Sequence, residues 1–344
     1  MGRAMARKTA QQKRIEALLQ RQSVAVRKAF LEALQKATNA VDRDALIRLL
    51  EANDVERAAA LFRMERGVVF PLEEAIRNAF IGGGMAVADD LPKGISGVFG
   101  FDGRHPRAIA LAERQAAALV TYISDDAVLG ARKIIVDGLN TNRSLNSVAR
   151  DLVGRKVGRQ RVGGIFGLTE PQTDRMINLR SLLSHPDRTG EYFKDADFRI
   201  PRYKESDRRF DAMVRRAIKS GRPLSAADVE RIGAAYKAKA SGNRAKIVAR
   251  NEAFVAQAAG RAEGYQQLLD DGRAEAVTKK WQHGFSKEPR QDHLRMDGET
   301  IDFDEVFVMD DGTRMRFPHD PAGGAEHSIG CRCTCVYRVK LPRD

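Results

Sequence analysis

The hydrophobic period of this 344-residue chain changes near residue 275, and that change limits the folds open to it. Before it, apolar residues recur at helical spacing over long runs. After it, they fall in short β-branched or aromatic stretches bounded by turn dipeptides such as Asp297-Gly298 and Asp311-Gly312. The chain therefore reads as a mostly α-helical body followed by a small C-terminal α+β domain.

Within the body, residues 11–40 contain no Gly or Pro. Ile15, Leu18, Leu19, Val26, Phe30, Leu31 and Leu34 lie near one helical face there, which predicts a long amphipathic helix. Helices are also predicted at 43–52, 55–66 and 71–80, the last with Pro71 in its first turn. Residues 82–106 are dense in glycine and carry Pro92 and Pro106, so they read as a domain hinge or an extended loop. Helical pattern resumes at 107–122, 125–138 and 144–153. The basic, glycine-rich stretch 154–172 has neither GxxxxGK[ST] nor GxGxxG. It reads as a loop ending at Thr169, the cap of a helix over 169–184 that carries Pro171. Ser225 signals another helix start. A long helix over 243–272 follows, stopped by Gly272, with Ile247, Phe254, Ala258 and Tyr265 as its core stripe.

Beyond 275, the segments AVTKKWQHGF, GETIDFDEVFVM, TRMRFP and CRCTCVYRV read as strands, with FVMDDGTRMRF as a hairpin. The expected arrangement is a long helix packed on a short antiparallel sheet. Three regions follow from this: residues 1–90, helical with a basic arm; 91–240, helical with the glycine-rich basic loop; and 241–344, the α+β domain.

The net charge of +13 favours a polyanionic partner. It is unevenly placed: from His283 onward 9 Lys/Arg face 12 Asp/Glu, whereas the first 36 residues hold 9 basic and 2 acidic side chains. Contact with double-stranded DNA is therefore expected through Lys8, Lys13 and Arg14 in the arm and Arg155, Lys156, Arg159 and Arg161 in the loop. No aromatic residues interleave with these charges, so the contact is expected to be non-specific. No run approaches the ~20 apolar residues of a membrane span, and the N-terminus lacks the apolar core of a signal peptide. No membrane partner is expected.

All three cysteines, Cys331, Cys333 and Cys335, fall within five residues, and four of the six histidines lie in the same last segment. On a strand the three thiols share one face, with Arg332 opposite, where it would pair with an acidic group such as Asp297 or Glu305 or else meet an outside partner; the internal pairing is the one expected. Reduced cysteines suit a tightly packed core, and that is one reading. A second is a zinc site at His293, Cys331 and Cys333, although CxCxC lacks the paired CxxC of a structural zinc knuckle. A third is enzymatic: a metal-dependent nucleic-acid-processing enzyme or toxin-like effector using His293 with Cys331 or Cys333. The sequence supplies no third orienting group, and no catalytic residue is assigned.

The stretch RNEAFVAQAAGRAEGYQQLLDDG, followed by KKWQHGFSKEPRQDHLRMDGETI and FPHDPAGGAEHSIGCRCTCVYRV, resembles the Mu F-like phage head morphogenesis family of minor capsid proteins. The residues carrying the resemblance are Arg250 and Glu252, Trp281, Arg290 and His293, Asp297 and Gly298, Pro318 and Pro321, and Cys331, Arg332 and Cys333. The family often has asparagine where this chain has Gly330, and Cys335 is an additional thiol. The resemblance implies a structural minor head protein of a tailed phage or prophage, acting at or near the portal vertex in head morphogenesis or DNA packaging. Its partners would be the portal protein, the major capsid protein or both. It would assemble in the host cytoplasm and end in the virion head.

Overall fold

The computed structural model describes residues 8–284 and 288–342. Helices α1 (Ala10–Ala40), α2 (Arg43–Glu51), α3 (Val55–Ala60), α4 (Arg66–Met85), α5 (Lys93–Ser96), α6 (Pro106–Asn140) and α7 (Leu145–Val153) come first. The hairpin β1 (Arg155–Val157) and β2 (Gln160–Val162) leads to α8 (Glu170–Ser184), α9 (Asp211–Ser220) and the 45-residue α10 (Ala226–Asp270). Then come β3 (Ala276–Gln282), α11 (Gln291–Arg295), β4 (Thr300–Asp302), β5 (Phe307–Val308), β6 (Arg314–Met315), α12 (Gly324–Ser328) and β7 (Thr334–Lys340). The fold is mostly helical with a small α+β region, as the change of period requires.

Several helices run further than the sequence pattern suggests. The expected breaks near residues 123 and 242 are absent: α6 and α10 are each continuous. Pro71 lies inside α4 rather than in its first turn, because the helix begins five residues earlier. Helix starts follow their caps closely. Thr169 and Gln172 form a reciprocal capping box, and Ser144 and Asp42 accept backbone N–H groups at their own helices. The glycine-rich loop is correctly a connection, but it folds into the β1–β2 hairpin, with Lys156 opposite Arg161 and Gly158 at positive φ in the turn.

The chain divides into two compact units, each assembled from separate segments: residues 1–30, 71–118 and 246–344 in one, and 31–70 and 119–245 in the other. In the second, buried Asp151 gathers Arg143, Arg180 and Lys237. Burial, then the Arg180 charge, drives the Lys237 amine down to about 7.

In the first unit, β4-β3-β7 form an antiparallel sheet with β3 in the centre, and β5–β6 make the expected hairpin. Trp281, Phe307, Met315, the three cysteines and Tyr337 form a core with Tyr265 and Leu268 of α10. Ile247 departs from the expected stripe and is 53% exposed, while Phe254 and Tyr265 are buried.

Residues 82–106 are not an open hinge. Helix α4 continues through Gly82, Gly83 and Gly84, and Val87, Leu91 and Phe99 enter the sheet-side core. Gln267 fastens the following segment, its Oε1 accepting from Asp102 N at 2.9 Å and its Nε2 donating to Asp102 O at 3.1 Å. The glycines allow backbone contact between helices: a Cβ on Gly260 would strike the Phe80 carbonyl, and one on Gly83 the Gln257 carbonyl. Gly264 faces Gly84 O and Val87 across the same crossing. Replacing Gly260 with Ala should therefore lower unfolding stability by about 1–3 kcal/mol through overpacking. At Gly242, in the same helix with open space around its Cβ position, Ala should raise stability by up to ~1 kcal/mol. Urea unfolding of the two variants checks the opposite signs.

Candidate metal centre

Two short helices and one turn carry the histidines that lie near the thiols. Helix α11 carries His293 and α12 carries His327, both buried. His319 sits at φ +69° in the turn before Asp320, and Cys331 and Cys333 lie on the extended lead-in to β7. Only Cys335 belongs to the strand itself, so the expectation that all three thiols lie on one strand is corrected, although all three are buried and reduced.

His293 Nδ1 is 3.4 Å from Cys331 Sγ and 3.8 Å from Cys333 Sγ. Ligand atoms of these three residues all lie within 4.8 Å of one another, a spacing a metal ion can bridge. On the other side of the ring, His293 Nε2 meets His327 Nδ1 at 3.1 Å, and His327 Nε2 meets Asp311 Oδ2 at 3.0 Å. Asp311 is held down to about 2, first by the Thr313 backbone N–H and then by His327, so it is the acceptor at the end of this chain. A neutral His327 that donates from Nε2 to Asp311 accepts at Nδ1 from His293 Nε2, which leaves the His293 Nδ1 lone pair facing the sulfurs; Asp292 Oδ2 lies 3.4 Å from the same His327 Nδ1. Trp281, fully buried, fixes the His293 ring edge-to-face at 5.4 Å.

The two thiols act as a pair. The Cys333 thiol favours ionised Cys331, burial opposes, and His293 and His319 add to the lowering. Cys333 is pushed up by Cys331 and by burial. Cys335 is a separate case: burial raises it to about 12, and its carbonyl accepts from Arg261 Nη1 at 2.9 Å.

The other motif residues mostly shape turns. Arg290 Nη2 donates to Ile329 O at 2.7 Å. Asp297 Oδ1 accepts from His283 N at 2.8 Å and from Gln282 Nε2 at 3.1 Å. Gly298, at φ +96°, donates its N–H to Trp281 O. Pro321 opens a short 3₁₀ turn capped by Asp320, and Pro318 lines a small cavity beside His319 and Cys333. Arg332 is exposed, and among the described residues it has no ion-pair partner, so the expected pairing with Asp297 or Glu305 is not made. Arg250 lies over the Phe254 ring at 5.5 Å.

Sequence reasoning passed over Arg261 and Glu263. Arg261 is 2% exposed and pairs with Asp90 at 3.1 Å, while Glu263 accepts from Arg107 Nε at 2.7 Å. Their signal was the flanking Gly260 and Gly264, which mark a buried helix face.

The basic candidates separate into two kinds. Lys8 pairs with Glu16 and Arg14 with Asp90, whereas Lys13 is exposed. Arg155, Lys156, Arg159 and Arg161 share the β1–β2 hairpin, and among the described residues none of the four has an ion-pair partner.

A long helix laid on a three-stranded antiparallel sheet, closed by a Cys/His cluster, defines a compact module at the C-terminal side of a helical chain. Residues 209–336, which take in this module and its approach, match the family described as phage Mu protein F like protein. Curated relatives include the uncharacterized protein YqbB of Bacillus subtilis (strain 168), 33% identical over 94 residues, or 26% of this chain and 29% of that one. Another is NAD(+)--arginine ADP-ribosyltransferase EFV of Enterococcus faecalis (strain ATCC 700802 / V583), 32% identical over 98 residues, or 28% of this chain and 19% of that one. The chain thus spans less than a third of either relative. No solved structure matches it.

Glu252 gives a pH signature. Burial raises its pKa from an ordinary 4.5, with Gln115 and Asn251 opposing. The folded state then holds this proton more tightly than the unfolded chain, so stability falls as pH rises from 4.5 through the raised native value. Glu252→Gln should remove that fall and leave the chain at least as stable as the parent at neutral pH, as measured by denaturant titrations across the acid range.

Proposed function

We propose that the chain is a structural head-morphogenesis protein of a tailed phage or prophage, present in the virion head and acting at or near the portal vertex. The observation that carries this reading is the match of residues 209–336 to the Mu F-like family. The burial of the thiols supports it: Cys331 and Cys333 are 5% and 2% exposed, which suits a packed or stapled module better than a nucleophile awaiting substrate. Among the described residues no helix is long and apolar enough to cross a membrane.

DNA contact belongs to the same proposal, and the hairpin is its best-supported surface. Lys156 and Arg161 oppose one another across the strands, an arrangement that like-charge repulsion disfavours unless an anion lies between or beside them. A phosphate backbone supplies that anion without reading sequence. The relationship to a protein named as an ADP-ribosyltransferase covers 19% of that protein and leaves its activity with that protein.

Co-expression with the portal and major capsid proteins of one phage or prophage, followed by sedimentation of assembled shells, tests the assembly role. The chain should travel with portal-bearing shells and be missing from portal-less ones. Recovery only as free protein would remove the proposal. For DNA, replacing Arg155, Lys156, Arg159 and Arg161 with Ala should weaken binding uniformly across sequences. The slope of log K against log[salt] should become shallower by roughly 0.9 for each phosphate that the variant no longer neutralises. An unchanged slope would move DNA binding off the hairpin.

A further inference from the structure

The Cys/His cluster has three donors in place and a fourth residue whose chemistry is otherwise unused. His319 is 1% exposed, and neither of its ring nitrogens has a hydrogen-bond partner. A buried imidazole in that state has lost its water and gained nothing in return, so it requires an explanation. Its ring is stacked on Phe254 at 4.4 Å, and it borders a cavity of ≈ 10 Å³ shared with Cys333, room for about one water. Its nitrogens stand outside the group of three donors whose ligand atoms already lie within 4.8 Å of one another, so it would reach the metal by a turn of its ring toward the cavity it shares with Cys333. Its backbone is held at φ +69°, a left-handed conformation that side-chain-bearing residues seldom adopt without a reason.

We propose that His319 is the fourth ligand of a structural Zn²⁺ site formed with His293, Cys331 and Cys333. The donor set is then two thiolates and two imidazoles, a composition that tetrahedral zinc accepts and that keeps no position open for substrate. Binding displaces the thiol protons of Cys331 and Cys333 to solvent, so the metal takes up two sulfur anions. His293 coordinates through Nδ1, because its Nε2–H is committed to His327 and, through it, to Asp311. That chain is the outer-shell support that metal-bound histidines ordinarily have. The neighbouring group of Asp292, His293 and His327 would use His293 through its other nitrogen and lacks sulfur, so it serves as support and not as a second zinc site. Cys335 is excluded as a ligand; it lies on β7 among Arg261, Lys279 and Tyr337. The site would tie α11, the His319 turn and the lead-in to β7 together, which a core this small would otherwise hold by packing alone.

The inference does not depend on the head-assembly reading, and its test is separate. The full chain, purified without added metal, should contain about one zinc, and X-ray absorption at the zinc edge should show two sulfurs and two imidazole nitrogens. A chain free of zinc that also fails to give thiolate-to-cobalt charge transfer on titration with Co²⁺ would overturn the site. A single imidazole in the absorption spectrum would overturn the role of His319 without requiring any variant to fold. His319→Ala, checked for folding by circular dichroism, should keep the charge-transfer band. It should also bind Co²⁺ at least ~10-fold more weakly and shift the visible d–d bands. Parent-like bands and affinity in that variant would also exclude His319. His327→Ala should weaken Co²⁺ by about 10- to 100-fold with unchanged bands, and Cys335→Ala should keep full stoichiometry. Loss of the charge-transfer band in Cys335→Ala would place the wrong sulfur in the site and overturn the assignment.

Discussion

Backbone contact between α4 and α10 organises the sheet-bearing unit. Helix axes ordinarily stay about 8–10 Å apart because side chains stand between them. At Gly83, Gly84, Gly260 and Gly264 those side chains are missing, and the two helices meet carbonyl to Cα. That closeness brings Arg261, one residue past the contact, within reach of both Asp90 and the Cys335 carbonyl. One guanidinium thereby ties the 3₁₀ turn that follows α4, the long helix and β7. Its burial is sustainable because a carboxylate and a carbonyl receive it.

The Cys/His cluster depends on that arrangement. Cys335 is held by Arg261, and the two thiols before it are presented to His293 on the same side of the core. Trp281, paired with Cys335 near one end of the β3–β7 register, stands edge-to-face with the His293 ring. Chemistry and packing are therefore not independent here. Of the residues that carry the family resemblance, His293, Cys331 and Cys333 form the cluster, while others such as Gly298 and Asp297 hold the turns that frame it.

Much of the fold could be read from the chain. The change of period near 275, the hairpin at Asp311-Gly312 and the cap at Thr169 each rest on local chemistry that operates over a few residues. The co-location of His293, Cys331 and Cys333 was also legible, because a short α+β segment leaves few places for them to go. Glycine was the main source of error. Gly82–Gly84 look the same in a sequence whether they loosen a loop or strip a helix face bare, and only the partner at Gly260 and Gly264 distinguishes the two. Ile247 was misjudged because periodicity finds an apolar face without saying whether anything covers each point along it. His319 gave no spacing signal, since its position is set by a left-handed turn.

The discontinuous make-up of the sheet-bearing unit has a consequence for how the chain comes off the ribosome. Asp90 and Arg261 are 171 residues apart in sequence, and Gln11 and Tyr265 are 254 apart, so their contacts close very long loops. The segments of the other unit have all been synthesised by Ala245. The sheet-bearing unit must wait for β7, with the apolar faces of α1 and α4 already made and still uncovered. During that interval the nascent chain exposes the surfaces most prone to association, and β7, the last strand of this sheet in chain order, is the one that closes them.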